Sequence, residues 1–183
     1  MRFSTITAAL AFALSVNAAA LNKRAVTPDV QTCINNLVST DQQLAIVTAG
    51  VDAYTADKGY AGALVVQAQE TTLENRLDTA GTNCCKTTTT VTTEDAQAVI
   101  AEIDILTPKI TAALSTIIAK KPVFDSVLLV TPLVKGDIGR LNTKTTKVIN
   151  CLLASTPAEF LSVAQGYANT ISGAFSAAIA AYA

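Results

Sequence analysis

The chain lacks histidine and tryptophan altogether, and its 183 residues include only four cysteines, five prolines and eight glycines. The missing histidine removes the commonest general base near neutral pH and the commonest metal ligand in proteins. The motifs G-x-S-x-G and H-E-x-x-H and the phosphate-binding loop are also missing. Close carboxylate pairs occur at Glu70/Glu74 and Glu102/Asp104, and we interpret them as solvated helix faces or caps. The sequence therefore predicts a protein that is not an enzyme and binds no metal or cofactor.

The N-terminus has the pattern of a secretory signal. A positively charged start, Met1-Arg2, precedes an apolar run at residues 8–16 and small residues at 17–20. The apolar run is too short to cross a membrane and is followed by small residues, as in signal peptides. We therefore predict a signal peptide at residues 1–20, an extracellular location and no transmembrane segment.

A dibasic pair, Lys23-Arg24, follows the predicted signal and indicates a processing site. Cleavage there would remove a short pro-segment, residues 21–24, and leave a single domain at residues 25–183. The alternative is a signal cleaved at Ala18 or Ala20, with the dibasic pair retained. Processing would remove three basic residues and no acidic residue, so the mature chain would be net acidic. We therefore predict no binding to nucleic acid, which requires a basic patch.

Apolar residues recur at steps of three and four residues along most of the chain, which is typical of amphipathic helices. Glycine and proline are scarce and alanine is abundant, and this composition also favours helix. The pattern predicts an all-α, up-and-down bundle of about five helices. The predicted helices run from Thr27 to a break near Gly59, from Tyr60 to Asn83, from Thr93 to Lys121, from Pro122 to Leu153, and from Thr156 to near the C-terminus.

Local signals add detail to these helices. Pro108 should kink the third helix, and Pro132 with the two glycines after it predicts a kink or short break inside the fourth. The stretch TPAE at 156–159 matches a capping box with proline at the first helical position. The threonine cluster KTTTTVTT at 86–93 predicts a loop, because dense β-branched residues disfavour helix. O-linked sugar and a plain polar linker are both compatible with this cluster.

The four cysteines, Cys33, Cys84, Cys85 and Cys151, converge in this topology. Short links favour antiparallel neighbours, so the start of helix one and the ends of helices two and four share one pole. Four cysteines allow three pairings, and a bond between the adjacent Cys84 and Cys85 would close a strained ring. We predict that each of these two bonds outward, one to Cys33 and the other to Cys151, and which takes which partner stays open. Redox or metal chemistry is the minor alternative, because no C-x-x-C spacing occurs.

The helices combine stripes of Leu, Ile and Val with many alanines, few aromatic residues and prolines inside two predicted helices. Kinked helices splay and leave room in which an alkyl chain could lie. Each buried methylene would contribute about 0.8 kcal/mol before the costs of association are subtracted. The alternative is a plainly packed core.

Two stretches carry a resemblance to a known family. The first, IIAKKPVFDSVLLVTPLVKGDIGRL at 117–141, resembles the central signature of the fungal hydrophobic surface-binding protein A family, which includes cell-wall galactomannoproteins. Its most specific part is KKP-x-FD at 120–125. The ending FLSVAQGYANTISGAFSAAIAAYA at 160–183 is similar to the last helix of that family. The resemblance covers nearly the whole predicted mature chain.

The resemblance implies a secreted helical bundle without enzymatic activity. Members adsorb to hydrophobic surfaces, where one role is recruitment of a polyester-degrading hydrolase, and galactomannoprotein relatives hold fatty acids between helices. We therefore expect a fatty acid or similar lipid in a cavity between helices. The alternative is a surface-active adaptor or cell-wall protein that recruits a secreted hydrolase. A polar group at the cavity mouth should meet the lipid carboxylate, and the sequence does not identify it. The lining residues predicted from the apolar stripes are Leu44, Leu64, Ile103, Leu106, Ile110, Leu128, Leu133, Leu141 and Phe160.

Overall fold

The computed structural model describes residues 26–86 and 91–183. The predicted signal peptide and dibasic site lie outside the described residues, as do residues 87–90 of the threonine cluster. Within the described residues the chain forms five long α-helices and no β-strand, which confirms the predicted all-α bundle. A short 3-10 turn, Ala56–Lys58, precedes the second helix. The helices are α1 (Pro28–Asp52), α2 (Gly59–Cys84), α3 (Thr93–Asp125), α4 (Val130–Ser155) and α5 (Ala158–Ala181).

Helices α1 and α3 begin where the local sequence signals predict. Pro28 is the first residue of α1, where its missing N–H would have had no helical partner. Thr92 caps α3, because its hydroxyl accepts a hydrogen bond from the backbone N–H of Asp95 at 3.2 Å. The Asp95 carboxylate accepts hydrogen bonds from the backbone N–H and the hydroxyl of Thr27, at 2.8 and 3.1 Å. The starts of α1 and α3 are therefore tied together at one pole of the bundle.

The predicted boundary between the third and fourth helices is wrong. Helix α3 continues through Pro122 to Asp125, and α4 begins only at Val130. A proline inside a helix removes one hydrogen bond, but here the remaining contacts keep the helix intact. The chain reverses at residues 126–129 instead, where Leu129 adopts a left-handed backbone with φ 69°.

The sequence predicted a kink or a short break in α4, and the break is wrong, because α4 is continuous to its end. Pro132 is the third residue of α4, where a backbone N–H would have no helical partner in any case. Helix α3 likewise runs through Pro108 without interruption. The turn between α3 and α4 is held by the Asp125 carboxylate, which accepts hydrogen bonds from Lys121 Nζ and Thr131 Oγ1, both at 2.6 Å.

The last helix begins at Ala158, close to the predicted start, but it has no capping box. The Thr156 hydroxyl donates to the Leu152 carbonyl at 2.6 Å and so serves the end of α4. The Glu159 carboxylate accepts a hydrogen bond from the Thr93 hydroxyl at 2.8 Å and so contacts the start of α3. A local bond to the end of α4 and a tertiary bond to the start of α3 therefore take the place of the two bonds that a capping box would make.

The five helices form a closed ring. Helix α1 packs against α2 and α3, α2 also packs against α4, and α5 closes the ring by packing on both α3 and α4. Polar pairs mark the seams: Lys109 of α3 pairs with Asp41 of α1 at 2.6 Å, and the Tyr167 hydroxyl of α5 donates to Asp104 of α3 at 2.7 Å. Each helix therefore turns one apolar face toward a shared interior.

Two disulfides join three of these helices at one pole, as predicted. Cys33 of α1 bonds to Cys84, with Cα atoms 4.7 Å apart, and Cys151 of α4 bonds to Cys85, with Cα atoms 5.0 Å apart. Adjacent residues at the end of a helix point about 100° apart, so Cys84 faces α1 while Cys85 faces α4. The pairing follows from the ring order, because α2 lies between α1 and α4.

Candidate ligand-binding site

A cavity of about 80 Å³ lies at the centre of the ring and is lined by residues from all five helices. Three threonines, Thr40, Thr48 and Thr145, are the only polar residues in its lining. The hydroxyls of Thr40 and Thr48 donate to the Asn36 and Leu44 carbonyls of their own helix, at 2.9 and 2.8 Å. No charged side chain lines this cavity. It is therefore suited to an alkyl chain and unsuited to a charged group.

Five of the nine predicted lining residues meet at this cavity. Leu133 lines a second cavity beside it. Leu64 and Leu128 lie on the surface, with 41% and 83% of their area exposed, and Phe160 is half-buried outside both cavities. The five residues at the central cavity are Leu44, Ile103, Leu106, Ile110 and Leu141.

Several other residues line the central cavity but are not among the nine predicted lining residues, although they lie on the same apolar helix faces. Val47 and Val51 continue the α1 stripe, Ile117 continues the α3 stripe, and Ile171 and Phe175 supply the wall from α5. Their spacing marks them as inward-facing. Periodicity identifies the apolar face of a helix. It does not predict which residues of that face border a cavity, because this depends on how the five helices pack against one another.

The second cavity, of about 40 Å³, continues from the central one toward the end of the bundle away from the disulfides. Both cavities are lined by Val47, Val51, Ile117 and Leu141. At its other side the second cavity is lined by three polar residues. These are Gln67, Glu70 and Asp137.

Glu70 is buried, with 4% of its area exposed, so the interpretation of Glu70/Glu74 as a solvated face is wrong. If Glu70 were ionised, neither of its carboxyl oxygens would have a hydrogen-bond donor. The cation nearest to Glu70 is Arg140, whose Nη2 lies 3.8 Å from Glu70 Oε2. Burial, followed by the neighbouring carboxyls Glu74 and Asp137, raises the pKa of Glu70 to about 9. Glu70 is therefore protonated at neutral pH.

Arg140, the cation nearest to Glu70, pairs with two other carboxylates. Arg140 Nε donates to Glu74 Oε1 at 2.6 Å, Arg140 Nη2 pairs with Asp137 Oδ1, and Lys144 Nζ lies 3.5 Å from Glu74 Oε2. Burial opposes the ionisation of Glu74, but the hydrogen bonds from Glu70 and Arg140 lower the pKa of Glu74 below its usual value. Burial raises the pKa of Asp137 to about 6, against the effect of Arg140. The one guanidinium is thus already committed to two carboxylates.

The cavities are smaller than a lipid. Sites for drug-sized ligands measure about 300–1,000 Å³, and the central and second cavities measure about 80 and 40 Å³. A long acyl chain would enter only if helices moved apart. The cavities mark where the helices already fail to fill the interior, so separation there breaks the fewest contacts.

Among residues 26–86 and 91–183, no group of three or more His, Cys, Asp or Glu side chains is arranged to hold a metal ion. No helix in these same residues is long and apolar enough to span a membrane.

These features define a disulfide-linked five-helix bundle with an apolar interior. The family model for hydrophobic surface binding protein A matches residues 18–154. The chain therefore belongs to the hydrophobic surface binding protein A family, and the resemblance seen in the sequence is confirmed. No curated protein matches the chain significantly.

Several solved structures that are similar to this protein are complexes with ligands. Afmp4p in complex with palmitic acid superposes with a TM-score of 0.79 at 28% identity, covering 84% of this chain and 99% of the other. Ligand binding domain 1 of the Penicillium marneffei MP1 protein, complexed with arachidonic acids, gives a TM-score of 0.76 at 14% identity, covering 85% and 99%. Ligand binding domain 2 of that protein, also with arachidonic acids, gives 0.77 at 14% identity, covering 87% and 97%. The two MP1 domains share the fold.

Proposed function

We propose that the protein is a secreted, non-enzymatic carrier that holds a long-chain fatty acid, or a similar single-chain lipid, between its helices. The observation that carries this proposal is the apolar cavity lined by all five helices. The palmitic acid complex of Afmp4p, at 28% identity over 84% of this chain, supports it. The disulfides and the family support secretion, because disulfides persist in oxidising compartments.

The energetics favour a ligand with a long alkyl tail. About ten buried methylenes would contribute about 8 kcal/mol before the costs of association and of helix separation. A short-chain acid would gain too little to open the bundle. Affinity should therefore rise steeply with chain length until the tail fills the interior.

The disulfides indicate which helices move. They join α1, α2 and α4 into one covalent frame, and α3 and α5 lie outside it. Helices α3 and α5 are joined to each other by hydrogen bonds, including one from the Tyr182 hydroxyl to the Ile117 carbonyl at 2.9 Å. A further cavity of about 50 Å³ lies between α3, α4 and α5, and it shares four lining residues with the central cavity: Ile103, Ile149, Leu152 and Ile171. We infer that the ligand enters between α4 and α5.

The test is mass spectrometry of organic extracts from the oxidised protein, purified from its native secretion. We expect a stoichiometric single-chain lipid. The extracted protein should then take up palmitic acid again, saturably. An empty extract followed by no uptake of added fatty acids of any length would mean that the interior is simply packed.

A second candidate function is adsorption to apolar surfaces, with recruitment of a secreted hydrolase or residence in the cell wall. The observation that favours it is the turn between α3 and α4, where Leu128 and Leu129 expose 83% and 58% of their area. Two adjacent exposed leucines at the tip of a bundle could anchor it to an apolar solid. The fatty-acid carrier does not require this turn, so the two functions can be separated.

Adsorption to a polyester film would test this candidate with the double variant Leu128→Ser, Leu129→Gly. Leu161→Ser, Val163→Ser on the exposed face of α5 is the matched control. The candidate predicts reduced adsorption for the turn variant and unchanged adsorption for the control. Equal adsorption of all three proteins would exclude the turn as the anchor.

A further inference from the structure

The second cavity ends at a buried acid that the fatty-acid proposal does not yet use. Glu70 borders the cavity with 95% of its side chain buried, and Gln67 and Asp137 lie beside it in the cavity wall. Apart from Tyr54, the rest of the wall is apolar and includes Val47 and Val51 of α1. A polar group at the end of an apolar passage is where the head group of an amphiphilic ligand would lie.

The charged and titratable groups around Glu70 come from two helices. Glu74 follows it on α2, and Asp137, Arg140 and Lys144 face it from α4. On the other sides, α3 contributes only apolar residues to the cavity. From the α1 side comes Tyr54, whose hydroxyl already donates to the Gly59 carbonyl at 3.1 Å. Glu70 therefore shares its surroundings with two carboxyls and with a guanidinium that both of them hold.

The protonation of Glu70 determines what it can bind. Its raised pKa leaves it neutral at pH 7, and its proton then gives a hydrogen bond to Glu74. Both carboxyl oxygens of Glu70 are buried and accept no hydrogen bond from a protein donor, so the oxygen that does not carry the proton remains an acceptor without a donor. A buried acceptor in this state is completed by a ligand that carries an O–H group.

We propose that the second cavity is a head-group subsite, in which Glu70 accepts a hydrogen bond from the uncharged O–H of a single-chain lipid. The lipid class is a long-chain alcohol or an un-ionised long-chain fatty acid, with its tail in the central cavity. This assignment rests on the proposed carrier function and adds the orientation and the head-group preference of the ligand.

The charge balance disfavours an ionised head group here. A fatty carboxylate cannot donate a hydrogen bond to Glu70, and it would bring another negative charge next to Glu74 and Asp137. Arg140 already pairs with Glu74 and Asp137, so a fatty carboxylate would have to compete with these two carboxylates for one guanidinium. A methyl ester of the same length brings no charge, but it also has no donor.

The test compares palmityl alcohol, methyl palmitate and palmitic acid, which share one tail length. Binding to the delipidated, oxidised protein is measured by equilibrium titration at pH 5 and pH 8. The variants are Glu70→Leu, which removes the acceptor, and Glu70→Gln, which retains a carbonyl. Glu94→Gln, an exposed acid near the disulfide pole, is the matched control. Circular dichroism checks that each variant is folded.

We expect the wild type to bind the alcohol about fivefold more tightly than the methyl ester, which is the typical effect of one hydrogen bond. Palmitic acid should bind more tightly at pH 5 than at pH 8. Glu70→Leu should abolish the preference for the alcohol and reduce the pH effect, while Glu70→Gln and Glu94→Gln should keep the preference.

Three outcomes would overturn the subsite or the carrier function. If Glu70→Leu binds all three ligands with the preferences of the wild type, the head group lies elsewhere and the subsite is refuted, although the carrier function stands. If the wild type binds none of the three ligands, the carrier function itself fails. A wild type that prefers the ionised acid at pH 8 would also contradict the subsite.

Discussion

Filling the central cavity should stabilise the protein and weaken lipid binding at the same time. Ala113 of α3 is buried and lines this cavity. Replacing it by leucine adds three carbon atoms, which could occupy part of the 80 Å³ void without displacing a polar group. The next residue toward the N-terminus, Ala112, is exposed and provides a matched control in the same helix.

The magnitude follows from the buried methylenes. Three of them would contribute about 2.4 kcal/mol at most, and the lost rotamer freedom of leucine would remove about 0.5–1 kcal/mol. We therefore expect Ala113→Leu to raise the free energy of unfolding by about 1–2 kcal/mol. Ala112→Leu should change it by less than about 0.5 kcal/mol, as surface substitutions usually do.

The same substitution places a side chain where the ligand tail would lie. We expect the affinity for palmitic acid to fall at least tenfold in Ala113→Leu and to stay unchanged in Ala112→Leu. Urea unfolding of the delipidated proteins and titration with palmitic acid give the two quantities. A destabilised Ala113→Leu variant that binds palmitic acid as tightly as the wild type would refute both the void and its role.

Three further predictions concern the acid, the disulfides and the turn. Glu70 binds a proton more tightly in the folded state than in the unfolded state, so the free energy of unfolding should fall as pH rises from about 4.5 to about 9. Glu70→Gln should flatten this decline in urea titrations at pH 5, 7 and 9. An unchanged slope would contradict the burial of this carboxyl group. Removing one disulfide with the double variant Cys85→Ser, Cys151→Ser should lower the free energy of unfolding by about 4 kcal/mol, as chain entropy predicts for a closed loop of 66 residues. A loss below about 1 kcal/mol would mean that this disulfide does not stabilise the fold. Leu129→Gly should raise the melting temperature, because glycine adopts the left-handed backbone without strain. Leu128→Gly should lower the melting temperature, because residue 128 is outside the left-handed region. A lower melting temperature for Leu129→Gly than for Leu128→Gly would contradict the turn geometry.

The sequence predicted the features that depend on local chemistry. Helix periodicity and the helix starts near Thr27 and Thr93 are properties of short stretches, and they appear in the structure as expected. The convergence of the cysteines followed from counting helices and alternating their direction. The choice of partner for Cys84 and Cys85 required the order of helices around the ring, which is a tertiary property.

The wrong predictions also concern features that tertiary packing determines. Pro122 was interpreted as a helix start because a proline is favoured there, but tertiary packing carries α3 through it. Glu70 was interpreted as solvated because carboxylates are seldom buried. A signal for its burial was present, since Ala63, Glu70, Leu77 and Cys84 are seven residues apart and all four are buried. A charged residue within such an apolar series indicates an inward-facing acid.

A crystal structure of residues 25–183 grown with palmitic acid brominated at the end of its tail would test the central claim most directly. The anomalous signal of bromine locates the tail without prior assumptions about the fold. A tail held between the helices should give a bromine peak inside the ring, next to residues that line the central cavity, such as Leu106 and Phe175. A bromine peak found only on the outer surface, or no peak at a saturating ligand concentration, would contradict it.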